Sequence, residues 1–421
     1  MKLCIVSAGD FFSNYGGGQV YVRNLVDEII LHHTEVALSV ISYNNTLPSI
    51  LRERVYHNTI VYECSTHDET QALIQKLQPD IIHTHGEKAF IAKLCKDMGI
   101  PCVITAHHGG ILCPAGGLLT YKDKICHNKS CHEKCLPCYL RNIRTGLFWY
   151  PLLRHIREDR YIRLGRRLHN LHFIPFITPI GEAAMAIREK NNQWQTIHEN
   201  ADIIIAPSHA IADSMTLNGA TPKKIHVVPH GIPTHNWSTT ETNNIQPPIQ
   251  FYYLGRICHE KGIHILLQAF SQITHHNIRL HLIGTGSKKT ERIYMNKLQK
   301  RYQHDKRIIW HGPIPSDQVS EVIRPYHVLI HPTICMEVFG LTIAEALAQN
   351  KYVIATRCGG AEMQIQDTQN GILVSPNNVE ELQAAMEEYL IHPRISNAPV
   401  TSIMQHVNEL FTCYNKLFEQ R

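Results

Sequence analysis

The chain has 421 residues, enough for two or three domains at about 100–200 residues per domain. Its 43% hydrophobic and 18% charged residues describe a folded globular protein and exclude disorder, collagen and coiled coil. The 41 basic and 36 acidic side chains leave a net charge of +5, too little over this length to mark a nucleic-acid binder, so no nucleic-acid partner is expected.

No apolar run reaches the roughly 18 residues of a membrane span, and Asp10 interrupts the opening apolar stretch too early for a signal peptide. A cytoplasmic protein is expected. The 13 cysteines then read as reduced thiols or metal ligands and not as a disulfide framework.

In chain order, Lys2–Ala8, Glu35–Ser42, Asp80–His85, Pro101–Ala106 and Asp202–Ser208 read as buried strands. Helical periodicity over Gln19–Leu31 and Ala89–Met98 separates them, which is the βαβ signature of a parallel sheet. Residues 235–248 are rich in Thr, Asn and Pro and read as a linker. A second series follows at Gln250–Gly255, Arg279–Gly284, Arg307–Gly312, His327–Pro332, Tyr352–Thr356 and Gly371–Ser375.

The expected architecture is α/β, with two Rossmann-like doubly wound domains, 1–234 and 249–395, facing each other across a cleft. Residues 396–421 carry apolar side chains at helical spacing and are expected to form a helix packing back on the body.

Chemistry-bearing residues concentrate where strands run into helices. Gly16, Gly17 and Gly18 form a turn that lets backbone approach a ligand closely. Arg256 and Lys261 place two cations at the carboxyl edge of a sheet, a natural clamp for a diphosphate. In Pro332–Gln349 a loop carrying Glu337 and Gly340 leads into a helix carrying Glu345, and amides around Gly340, Leu341 and Thr342 would complement phosphate charge.

The ordered set GGGQVYV, VVPHGI at 227–232, GRICHEKG at 255–262, and Glu337 with seven residues before Glu345 resembles the signature of family 4 of the retaining glycosyltransferases. That resemblance covers nearly the whole chain and implies the GT-B fold and a nucleotide-diphosphate-sugar donor. It implies that Arg256 and Lys261 neutralise the donor diphosphate, Glu345 bonds the donor ribose, and Glu337 sits by the donor sugar. The amides at 340–342 would hold phosphate or sugar hydroxyls, and the Gly16–Gly18 loop would close from the other domain.

Thr105-Ala106-His107 matches the family's T-x-H position, which makes His107 a candidate to contact the donor sugar, with His108 its competitor. His83 and His85 follow another strand and are weaker candidates. Gln19 and His230 stand where the family commonly has an acid and an asparagine, and Pro233 where an aspartate is often seen. A non-catalytic nucleotide-sugar or metal-binding module on the same fold is the alternative.

Five cysteines, Cys113, Cys126, Cys131, Cys135 and Cys138, fall within an insertion at about 109–140. Their spacing suggests a structural zinc or an iron–sulfur cluster, with His127 and His132 as substitute ligands, or an unmetallated loop, and in each case the loop is expected to shape the acceptor site. From Arg141 to Arg167, eight arginines face only Glu158 and Asp159, beside Leu147, Phe148, Trp149 and Leu152. Such a segment suits an anionic membrane surface and a glycan or lipid-linked acceptor, or it is a solvated helix face.

Overall fold

A computed structural model describes residues 1–14, 16–45, 51–143, 145–169, 178–233, 245–366 and 369–419. Among them the β-branched runs build two sheets. The first contains β1 (Lys2–Ala8), β2 (Ala37–Tyr43), β3 (Arg52–Tyr56), β4 (Thr59–Cys64), β5 (Ile81–Thr84), β6 (Cys102–Thr105), β7 (Ile203–Ala206) and β8 (Ile225–Val227), in the order β3-β4-β2-β1-β5-β6-β7-β8. All its pairings are parallel except β3 with β4.

The second sheet contains β9 (Ile249–Leu254), β10 (Ile278–Ile283), β11 (Ile308–His311), β12 (Val328–His331), β13 (Tyr352–Thr356) and β14 (Gly371–Val374). Its order is β11-β10-β9-β12-β13-β14, parallel throughout. Each strand expected from sequence is present, and the short hairpin β3–β4 is an addition. Arg52, Glu53 and Arg54 are exposed on its edge strand, where charged side chains block further pairing.

Helices cover both sheets: α1 (Gly17–His32), α2 (His67–Leu77) and α3 (Lys88–Met98) in the first half. The insertion between β6 and β7 holds α4 (His132–Arg141), α5 (Gly146–Leu153), α6 (Glu158–His169) and α7 (Thr178–Asn200), and α8 (His209–Leu217) follows. Around the second sheet lie α9 (Ile263–Gln272), α10 (Lys289–Arg301), α11 (Val319–Ile323), α12 (Leu341–Ala348), α13 (Gly360–Gln364) and α14 (Val379–Ile391). The insertion has a small core of its own, in which Leu136 and Leu140 of α4 meet Tyr161 of α6 and Ile187 of α7.

The last helix, α15 (Ile403–Glu419), buries Val407, Leu410 and Tyr414 against Leu25 and Ile29 of α1, so the chain returns to the first sheet after completing the second. Each such side chain removed from water contributes about 1.5–3 kcal/mol. The outgoing and returning segments lie side by side: Ile232 N–H donates to Thr401 O at 3.1 Å, and Ile403 N–H donates to Ile232 O at 2.8 Å. Most of the expected linker at 235–248 lies outside the described residues.

The two halves also exchange core residues. Met336 and Val338, from the second half, sit in the apolar cluster of the first, while Leu119 of the insertion sits in the cluster of the second.

A polar network fastens α15 beneath the end of the first sheet. His83 meets Tyr414 Oη at 2.6 Å and Thr105 Oγ1 at 2.7 Å, while His406 meets Tyr21 Oη at 2.5 Å and Pro229 O at 2.6 Å. Burial pushes His83 down to about 3 and His406 down to about 4, with His406 and Lys88 adding to the effect on His83. Groups with depressed basicity stabilise the fold fully above their unfolded value of about 6.5, and that stability is lost as pH falls through the folded values. Thermal unfolding should therefore show a falling Tm between about pH 6.5 and 4, and a Tm flat over that window would contradict the network.

Candidate functional site

Parallel sheets send their carboxyl-end loops to one side, and here both sets meet in a cleft of about 990 Å³. The second-half wall begins where β9 ends at Leu254. The chain passes Arg256, makes a tight turn over His259–Lys261, and closes at Gly262. Gly262 has φ +68°, and a Cβ there would lie 1.9 Å from Pro332 O, so only glycine lets this turn pack on the end of β12.

That packing brings the Lys261 ammonium onto the Glu337 carboxylate, with side chains only 21% and 16% exposed. His331 Nε2 stands 3.2 Å from the same Glu337 oxygen, and His331 Nδ1 stands 3.4 Å from Thr342 Oγ1. Burial alone would raise the Glu337 carboxyl, but Lys261 and His331 hold it well below the usual range. Conversely, burial would lower Lys261, and Glu337 raises it above its ordinary value.

Arg256 is exposed and pairs with Glu291 of α10 at 2.8 Å. Glu291 also accepts the Ser287 and Lys288 N–H groups at 2.8 and 3.1 Å. Both cations are thus held in place by carboxylates, while the five-donor guanidinium keeps N–H groups for a ligand.

Just beyond Glu337, α12 is capped by Gly340, with no side-chain cap among the described residues, and its opening residues Leu341 and Thr342 lie on the same wall. Across the cleft stand Gly17 and Gly18 at the start of α1, and a Cβ on Gly17 would lie 3.5 Å from Leu341 Cδ1.

The first-half wall is histidine-rich. His107, after β6, holds its Nε2 2.8 Å from His85 Nδ1. Tyr21 packs its ring 4.9 Å from His107 and 4.2 Å from His230. Burial, reinforced by neighbouring imidazoles, keeps His85, His107 and His230 well below their ordinary basicity, so these three rings are uncharged at neutral pH. His108 also lines the cleft with part of its surface open to solvent, and desolvation of the rest, with nearby Lys88 and Lys190, lowers it to about 4.

The structure therefore gathers His107, His108, Gly17, Gly18, Arg256, Lys261, Glu337, Gly340, Leu341 and Thr342 around one space, together with His85. Gly16 and Glu345 are not on its lining, and His83 lies beneath it, fully buried and bonded. Glu345 sits behind the α12 amides, where burial pushes its carboxyl up to about 8.

Sequence reading missed Lys88 and Lys190, which also face the cleft. Lys88 begins a helix directly after the β5 edge, so the strand-end reasoning that flagged His85 applies to it equally. Lys190 lies within the long α7 and carries no local signal.

Among the described residues, no three His, Cys, Asp or Glu side chains are placed to hold a metal ion, and Cys113, Cys126, Cys131, Cys135 and Cys138, expected to bind zinc or an iron–sulfur cluster, make no such group there. Cys113 is drawn into the apolar cluster beside Ile111, Leu112 and Leu118, and Cys135 Sγ lies 3.4 Å from Ser130 Oγ. Of the substitute ligands, His132 turns its ring edge toward Tyr161. Burial pushes the Cys135 thiol up to about 11.

In the insertion, α5 exposes Phe148 at 80% and Leu152 at 64%, and the exposed Arg154, Arg157, Arg160, Arg163 and Arg166 follow in sequence. Glu158 and Asp159 are taken by Arg188 at 2.9 and 2.7 Å. Among the described residues, no helix is long and apolar enough to cross a membrane.

Sequence comparison agrees with this geometry. The family described as Glycosyltransferase Family 4 matches residues 15–132 and 143–236, and that described as Glycosyl transferases group 1 matches 238–400. The chain is 26% identical over 160 residues to the gpi3 subunit of phosphatidylinositol N-acetylglucosaminyltransferase from Schizosaccharomyces pombe, covering 37% of this chain and 34% of that one. It is 26% identical over 242 residues to D-inositol 3-phosphate glycosyltransferase from Acidothermus cellulolyticus, covering 52% and 54%. The chain thus spans about a third to a half of the length of these relatives.

Among solved structures, sucrose-phosphate synthase from Thermosynechococcus elongatus superposes with a TM-score of 0.65 at 17% identity, covering 100% of both chains. Anabaena HepE, solved with UDP and glucose, gives 0.64 at 15% identity, covering 99% of both. The fold is GT-B.

Glu345 makes the stability of the second half depend on pH. A carboxyl raised to about 8 stabilises the fold fully below its unfolded value of about 4.5, and that stability is lost as pH climbs to 8. Glu345→Gln should flatten this loss and raise stability at pH 8 by about 1–2 kcal/mol, read by urea denaturation at pH 5, 6.5 and 8.

Proposed function

Because the chain belongs to glycosyltransferase family 4, we propose that it moves a hexose-like sugar from a nucleotide-diphosphate donor to an acceptor hydroxyl, with retention at the anomeric carbon. The acceptor in this reading is a glycan, glycolipid or other cell-envelope precursor, and the work is done in the cytoplasm or at the cytoplasmic face of a membrane. The observation that carries the reading is the shared wall of Arg256, Lys261 and the first α12 amides, opposite Gly17, Gly18 and His107. Charge builds on the diphosphate as its bond to the sugar breaks, and fixed cations and aligned amides stabilise it without reorganising.

The remaining roles are those the family resemblance implies. Glu337, fixed by Lys261 and His331, would accept bonds from donor-sugar hydroxyls. His107, held neutral and oriented by His85, offers a hydrogen bond near the reacting carbon without adding charge. Glu345 is assigned to the donor ribose, and the Gly16–Gly18 loop to closure over the phosphates. HepE, solved in complex with UDP-glucose, supports starting the donor search with uridine nucleotides.

Nucleotide sugars should be screened by ligand-induced thermal stabilisation and then assayed for nucleoside diphosphate release. A donor that stabilises without turnover would favour the binding module. With the donor in hand, Lys261→Ala should lower kcat by about 100-fold or more, and Glu345→Ala should mainly raise the donor KM. Full activity in both variants would contradict the assignment.

The exposed apolar and basic face of α5 and α6 supports peripheral docking on an anionic bilayer. Vesicles containing phosphatidylglycerol should co-sediment the protein at low salt, whereas pure phosphatidylcholine vesicles should not. Phe148→Glu combined with Leu152→Glu should reduce the bound fraction about tenfold or more, since both side chains would otherwise enter the interface.

A further inference from the structure

The Cys-rich insertion belongs to the first half of the chain, yet it reaches the turn that presents Lys261. Its loop lies directly against the donor wall: a Cβ on Gly117 would stand 3.8 Å from Cys335 Cβ and 4.0 Å from Glu260 Cγ. Leu119, two residues on, is buried in the apolar cluster of the second half. Beyond it, Asp123 Oδ1 accepts from Arg141 Nη1 at 2.6 Å, and Arg141 Nη1 also donates to Thr120 O at 3.3 Å.

Both members of this pair touch His259. Its Nε2 lies 2.9 Å from Arg141 Nη2 and 3.0 Å from Asp123 Oδ1. With a lone pair on Nε2 the ring accepts from Arg141, and with a proton there it donates to Asp123, so either state has a partner. From within the second half, His264 stacks on the His259 ring at 4.6 Å and 12°, and His264 is itself held by Tyr294 Oη at 2.8 Å. His259 is thus gripped by residues of both halves, and Lys261 lies two positions further along the same short turn.

We infer that Asp123 and Arg141 are positioning residues for the donor clamp: by fixing His259 they set the turn that aims Lys261 at the donor diphosphate. This rests on the reading of Lys261 as a diphosphate ligand. It assigns the insertion a specific task, that of coupling the acceptor-side half of the molecule to the grip on the donor.

The test is a double-mutant cycle read by calorimetric titration with UDP, or with whichever nucleoside diphosphate the donor screen selects. Asp123→Ala, Arg141→Ala and His259→Ala should each weaken binding about 5–10-fold, and Asp123→Ala with His259→Ala should be no weaker than the worse single variant. Asp123→Asn, which keeps an acceptor for Arg141, should recover most of the affinity and covers the case in which the alanine variant fails to fold.

Wild-type affinity in Asp123→Ala and Arg141→Ala, or additive losses in the cycle, would overturn the inference. A lowered Tm with unchanged affinity would count the same way, as a purely structural contact. Lys261→Ala separates the two layers: if it weakens nucleotide binding while Asp123→Ala does not, only the positioning role fails. If Lys261→Ala leaves binding unchanged, the donor reading falls and the inference falls with it.

Discussion

The buried ion pair between Lys261 and Glu337 is the interaction on which the rest of the site depends. Withdrawing two charges from water is costly unless each finds good partners, so the pair forms only when its surroundings are in place. Three conditions meet there. Gly262 must allow the turn to close on Pro332, His331 must stand at the end of β12 to share the Glu337 oxygen, and Glu337 must be pinned between Met336 and Val338. Because those two neighbours are buried in the apolar cluster of the first half, the arrangement is also conditional on the two halves being docked.

The walls that result differ in electrical character. On one side, fixed cations and peptide dipoles create a positive field suited to a departing anion. On the other, the imidazoles packed around Tyr21 are kept neutral by burial, so that patch can exchange hydrogen bonds without adding charge, and Lys88 and Lys190 face the same cleft. A reaction in which negative charge accumulates at one end of a breaking bond calls for this kind of asymmetry.

The legible parts of the molecule are those written in local pattern. Buried parallel strands announce themselves as β-branched runs, and Arg256, Lys261, Glu337 and His107 were visible because parallel sheets deliver strand ends to one edge. Hairpin β3–β4 escaped because charged residues such as Arg52, Glu53 and Arg54 mask the strand pattern. Glu345 was legible as a motif position but not as a carboxyl behind the helix start, since its place depends on how α12 packs. Thiol spacing in the insertion suggested ligands, and Cys113 does lie near Cys126, Cys135 and Cys138, but no three of them make a metal-holding group among the described residues. The contact of Asp123 and Arg141 with His259 had no local signature, because it joins residues more than a hundred positions apart.

The paired backbone bonds between Ile232 and the 401–403 segment have a mechanical consequence. The polypeptide passes between the two sheets twice, and both passages are tied together at one spot beside the foot of α15. Any rocking of one lobe against the other must therefore swing about that anchored point, as a clam shell turns on its ligament. Displacement would be smallest at the tether and grow toward the opposite lip.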